Sequence, residues 1–371
     1  MASANPASGE KRPEDRMVAR VGHMLNELFI KTRGVMHMNV LLRWATAAEV
    51  DLRRGDILLW KTCTMPKAEE RLFPSGIPTD IQLRAYSFEN CRLAIQEASP
   101  TLAYVLQGLD AIIQEPSLRP VTRSPMVAYL LRSRDDGDGN NNVAIDREVQ
   151  ARYHTVVKVV TEMPENDCWD AAPGMVIDST CWQLGFGDSC ANWDTYLKRR
   201  AVEGESIWWE PFGTCFSEHE ADLQRGETVH AFLTEATIRT INNVLYREIS
   251  LLGGREAVFR DSSDEEFRAW RKQLYGVLGT ALERLRAKAD WVLFSDPDKD
   301  SSVKKAELQQ LVHGSGGEEH EIFMDALDGV IDCQRALFNH YSPISDAYEE
   351  EQGLEGEDET GDSRSTEADR I

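Results

Sequence analysis

Apolar residues recur at helical spacing through Val18, Val21, Leu25, Leu28 and Phe29, so the chain opens on an amphipathic helix. A second apolar segment, HMNVLLRWATAAEVDL, follows the break at Gly34 and predicts another helix. Proline and glycine punctuate Met65 to Pro78, a loop. From Phe88 to Ile113 the helical period returns, and Pro100 predicts a division into two helices. The pattern then changes. PMVAYLLRS (Pro125 to Ser133), YHTVVKVVTEM (Tyr153 to Met163) and GMVIDST (Gly174 to Thr180) are short, β-branched and bounded by turn residues, which predicts strands of a small antiparallel sheet. The polar run DDGDGNNN, Asp135 to Asn142, predicts a loop between the first two.

Beyond Trp193 and the aromatic stretch SIWWEPFG, the period is helical throughout. One stripe runs from Val229 through Phe232, Leu233, Ala236, Ile241, Leu245 and Ile249 to Leu252 and ends at Gly253 and Gly254, where a helix C-cap favours glycine. A second joins Phe267, Trp270, Leu274, Leu278, Leu282, Leu285 and Val292 behind Ser263 and Glu266, which have capping-box spacing. A third covers Ile322, Phe323, Ala326, Leu327, Val330, Leu337 and Tyr341. The expected fold is α+β, a small antiparallel central sheet packed on helices, with an all-α C-terminal region. The expected divisions are a disordered 1–16, an α+β core over 17–220, a helical region over 221–345 and a disordered acidic tail over 346–371.

Charge narrows the function. A net charge of -22 over 371 residues argues against nucleic acid, which needs clustered Lys and Arg. Asp346 to Ile371 holds eleven acidic residues against Arg364 and Arg370 and few apolar ones, too little to offset the entropy of ordering. No apolar run approaches the roughly 20 residues of a membrane span, nor does the N-terminus read as a signal peptide, so the expected location is the cytoplasm. The seven cysteines follow no framework spacing and read as free thiols. Zinc held by Cys181, Cys190, Cys215 and His219 lacks the close ligand pairs of structural sites.

Two local patterns carry candidate chemistry. Cys91 opens an apolar-periodic segment with Ser87 available as its cap, and a helix N-terminus near a histidine favours the thiolate. His154 lies in one predicted strand and Asp178 ends the next, placed to fix the histidine's tautomer. Each also has an ordinary structural role: Cys91 as a core thiol, His154 as a hydrogen-bonded strand residue, Asp178 as a turn cap through Ser179 and Thr180.

A helix cysteine followed by a strand histidine and a strand aspartate resembles the papain-like and transglutaminase-like cysteine enzymes, with HTVVKVV and VIDSTCWQLGFGD similar to their paired histidine and aspartate strands. The resemblance covers about residues 86–193. It implies Cys91 as nucleophile, His154 as base, Asp178 as its orienting partner, and acyl transfer or amide hydrolysis on a protein or peptide substrate, or the same fold with its chemistry lost. The oxyanion donor would be Gln183 or the Cys91 backbone amide. Phe88, Glu89 and Asn90 stand where such enzymes commonly carry glycine or tryptophan, and Glu89 beside a thiolate opposes its formation.

The second pattern is DPDKDSSVKKAE, which resembles an EF-hand calcium loop. Asp296, Asp298 and Asp300 take its first, third and fifth positions, Ser302 the seventh and Glu307 the twelfth, so that hard oxygen ligands alternate along the loop. Ser301 stands where the sharp turn usually takes glycine, and no second loop is present to pair with it. The alternative function is accordingly a helical interaction or scaffold protein responsive to calcium, against which stands a plain helix-helix linker with capping acids.

Overall fold

The first helix begins ahead of its apolar stripe. In a computed structural model, which describes residues 12–36, 41–46, 57–62, 73, 75–88, 90–121, 126–135, 141–150, 153–162, 172–226, 228–296 and 298–341, α1 spans Pro13–Val35. Pro13 tolerates the first helical position, and Glu14 and Asp15 suit the positive end of the helix dipole. The disorder expected over 1–16 is therefore corrected for 13–16. Of the polar loop expected over 135–142, Asp135, Asn141 and Asn142 lie in strands, while 136–140, residues 1–11, Glu89 and the tail expected over 346–371 lie outside the described residues.

After Gly34 the chain forms a strand where a helix was expected: β1 (Leu41–Thr46) pairs antiparallel with β2 (Ile57–Thr62). An apolar run this short carries no period that separates the two, and a pairing partner decides it. Helix α2 (Thr79–Ser87) leads into α3 (Cys91–Leu106), which runs unbroken through Pro100. A mid-helix proline costs about 3 kcal/mol. Here Ala98, Leu102, Val105 and Leu106 anchor both halves of the helix in the main core, and that packing outweighs the break.

The strands that follow are β3 (Ile112–Gln114), β4 (Ser117–Leu118), β5 (Met126–Asp135), β6 (Asn141–Gln150), β7 (His154–Thr155), β8 (Val157–Val160), β9 (Met175–Ile177) and β10 (Cys190–Asn192). A central antiparallel sheet has the order β10-β9-β8-β3, and β4 pairs with β7 beside it. The three sequence-predicted strands divide among three sheets: β7 pairs with β4, β8 and β9 lie in the central sheet, and β5 joins β1, β2 and β6 through a parallel pairing with β2. Local pattern specifies a strand but not its non-local partner.

The remaining helices are α4 (Trp193–Arg200), α5 (Thr214–Arg225), α6 (Val229–Leu251), α7 (Asp264–Phe294), α8 (Ser301–Ser315) and α9 (Glu318–Tyr341). Gly253 and Gly254 follow α6 with φ of 91° and 105°, and the Ser263–Glu266 capping box opens α7. The fold is α+β with a helical C-terminal region. One hydrophobic core joins Val157, Val159 and Ile177 of the central sheet to α1, α3, α6, α7 and α9, so the expected boundary at 220/221 crosses continuous packing. Among the described residues no helix is long and apolar enough to cross a membrane.

Candidate active site

Cys91 is the first residue of α3, where backbone N–H groups have no intrahelical acceptor and the helix dipole favours negative charge. Ser87, the cap expected from sequence, instead closes α2. The N-cap is Asn90, whose side-chain amide donates to the Tyr86 carbonyl at 2.7 Å. Cys91 is half-buried, and its sulfur is met by the backbone N–H groups of Arg92 and Thr155 and by the His154 ring. Burial alone would push this thiol up. The hydrogen bond and charge of His154, with the two amides, outweigh it and hold the thiol below its usual range.

His154 is fully buried on β7, opposite Leu118 of β4. Its Nε2 lies 3.0 Å from Asp178 Oδ1, but off the line of the N–H, so charge dominates the contact. Burial would lower this histidine's pKa. The Asp178 carboxylate and the Cys91 sulfur overcome burial and raise it to about 10.

Gln183 lies in the 3₁₀ turn Cys181–Leu184, with its Nε2 2.6 Å from His154 Nδ1 and 3.3 Å from Thr180 Oγ1. An imidazolium has two donors, so Gln183 presents its amide oxygen when the ring is charged and its nitrogen when the ring is neutral. This amide steadies the histidine, a different task from the substrate-oxygen contact expected of it.

Asp178 follows β9 and is 1% exposed. Its Oδ1 accepts the Thr180 N–H at 3.2 Å, and Oδ2 accepts the Tyr196 hydroxyl at 2.9 Å and Arg200 Nη1 at 3.0 Å. Burial would raise its pKa, but the charges of His154 and Arg200 and the Tyr196 hydrogen bond hold it below the usual carboxylate range. Arg200 also donates through Nη2 to the Asp188 carbonyl at 2.7 Å and lies over the Phe186 and Tyr196 rings. From α1, Asn26 ties down the same turn by donating to the Ser179 carbonyl at 2.7 Å.

The structure thus brings Cys91, His154, Asp178 and Gln183 together. Tyr196 and Arg200 were missed from the sequence. The four-residue spacing in WDTYLKRR puts both on one face of α4, but nothing in that segment marks the face as buried. Two other thiols are shifted the opposite way from Cys91: Cys181 is pushed up by burial and by Asp178, and Cys215 by burial and Glu115. All five described cysteines are unbridged, as expected; Cys63 and Cys168 lie outside the described residues.

At the calcium-like loop, Asp300 caps α8 by accepting the Ser302 N–H at 2.7 Å, and Asp296 accepts the Asp298 N–H at 3.1 Å. The helix begins at Ser301, and the Glu307 carboxylate takes Lys299 Nζ at 2.6 Å. Among the described residues no group of three or more His, Cys, Asp or Glu is placed to hold a metal ion, whether at this loop or among Cys181, Cys190, Cys215 and His219. Compared with protein-family models, curated proteins and solved structures, the chain matches none.

Proposed function

We propose that the protein is a thiol-dependent acyl-transfer or amide-hydrolysing enzyme acting on a protein or peptide. Cys91 is the nucleophile, His154 the base and Asp178 its charged partner. The observation that supports this reading is the convergence of three residues distant in sequence on one buried cluster, with the thiol lowered and the histidine raised. In the first step the Cys91 sulfur bonds to the substrate carbonyl carbon, the C–N bond breaks, and the departing amine takes the proton held by His154. Water or a second amine then gives its proton to His154 and attacks the thioester, and the acyl group leaves Cys91 as acid or new amide. The Cys91 backbone N–H, unpaired by its helix, is the donor available to the oxyanion.

Iodoacetamide labelling at mildly acidic pH tests the pair, because only an activated thiol reacts quickly there. Cys91 is expected to label well ahead of the other six thiols, and His154→Ala to abolish that preference. Equal labelling of all seven, or a preference that survives in His154→Ala, removes the proposal's basis. The calcium-responsive scaffold stands as the alternative, although the Lys299–Glu307 ion pair occupies the carboxylate that would close a calcium shell. Calorimetric titration with calcium decides it: heat that vanishes in Glu307→Ala would favour the alternative.

A further inference from the structure

The Asp178 carboxylate serves two cations. His154 Nε2 lies 3.0 Å from Oδ1 and Arg200 Nη1 lies 3.0 Å from Oδ2. His154 is 0%, Asp178 1% and Arg200 2% exposed, so water does little to screen the three. An arginine guanidinium is a fixed positive charge in a protein. Asp178 and Arg200 therefore cancel, and a proton on His154 leaves excess positive charge unless Cys91 has become a thiolate.

We infer, resting on the Cys91–His154 reading, that Arg200 is a positioning residue that neutralises Asp178 and thereby ties the His154 proton to ionisation of Cys91. Two states of the cluster are balanced, thiol with neutral imidazole and thiolate with imidazolium, and they differ only in the place of one proton. Without Arg200 the balanced state would be protonated His154 beside Asp178 with the thiol intact, which is a poor nucleophile. Burying an uncompensated charge is costly, so the balance decides which protonation states are populated.

Other charged and titratable groups among the described residues face this cluster. On α3 there is Arg92, whose charge is taken by Glu210 at 3.0 Å and Glu218 at 2.6 Å. Cys181 and Asp188 flank the turn after β9, Tyr196 stands on α4, and His23 of α1 reaches Ser189 at 3.1 Å. Lys158 of β8 lies about the Trp193 and Trp209 rings, 4.9 and 5.0 Å from their centroids. Arg200 touches the Asp178 carboxylate with a fixed positive charge.

The test is the rate of Cys91 alkylation by iodoacetamide against pH, with folding checked by near-UV circular dichroism. The readout is the acid limb, the pH below which the rate falls. Arg200→Met should move it up by about one unit or more, a tenfold or greater loss of rate at a pH on the native limb. Asp178→Asn should move it down, and the double variant Asp178→Asn/Arg200→Met should return it near the native position, since the two charges leave together. Tyr196→Phe, which removes a hydrogen bond but no charge, should leave it in place. If one single variant fails to fold, the other single and the double still fix the order. The inference is overturned if the limb stays fixed in the folded single variant, if the double variant fails to return it, or if Tyr196→Phe moves it as far as Arg200→Met. A native protein whose Cys91 shows no acid limb below that of an ordinary thiol overturns the underlying reading as well.

Discussion

At the scale of single residues, the cluster makes a prediction about stability against pH. His154, raised from 6.5 to about 10, contributes stability that is complete below about pH 6.5 and lost as pH rises through about 10. Cys91, lowered from 9.0, works in the opposite sense: its contribution is complete above about 9 and lost as pH falls. Below about pH 9 the extra proton on the folded imidazole and the proton missing from the folded thiol oppose each other, which reduces the slope. Above about pH 9 the histidine term stands alone and stability should fall, at up to about 1.4 kcal/mol per pH unit for one proton. Urea midpoints of the native protein, less those of Cys91→Ala/His154→Gln, should decline above about pH 9. A difference that does not change with pH would mean that His154 holds no extra proton in the folded state.

Among elements, β9 is entered through a tight local constraint at Gly174. A side chain at Gly174 would place its Cβ 2.7 Å from the Val159 carbonyl of β8, and the Gly174 carbonyl accepts the Trp193 N–H that opens α4 at 2.8 Å. Gly174→Ala should therefore cost about 1–3 kcal/mol by overpacking. It should also slow Cys91 alkylation, because β9 leads directly to Asp178 and α4 carries Tyr196 and Arg200. Urea unfolding and labelling rate measure the two effects, and an unchanged midpoint would show that β8 and β9 part without strain.

The same elements show what could be read from sequence. The helices α6, α7 and α9 and the strands β8 and β9 were legible because their apolar periods are long or their turn residues clear. The strand nature of β1, the continuity of α3 through Pro100 and the division into separate sheets were not, because tertiary packing decides each of them. Cys91, His154 and Asp178 were legible as types in order. Arg200 was not, since a surface-like WDTYLKRR gives no sign that its last arginine is buried on a carboxylate.

Over the whole molecule, the candidate site and the helical C-terminal region share one core. Val157, Val159 and Ile177, close in sequence to His154 and Asp178, belong to the same packed cluster as Leu274, Leu278 and Leu282 of α7. Packing at this density leaves the sheet no separate reservoir of stability, so distant damage should reach the site through the folding equilibrium. Leu282 is 0% exposed and remote in sequence from every site residue, and Leu282→Ala should cost about 2–5 kcal/mol. If the core acts as one unit, loss of helical circular dichroism and exposure of the buried Cys215 thiol should share a single urea midpoint in the native protein. Both should move down together in Leu282→Ala. Alkylation of Cys91 under native conditions should meanwhile keep its pH profile, since no charge in the cluster has changed. Two separated transitions, with Cys215 exposed after the helices have melted, would instead mark the region around the site as a unit that stands without α7.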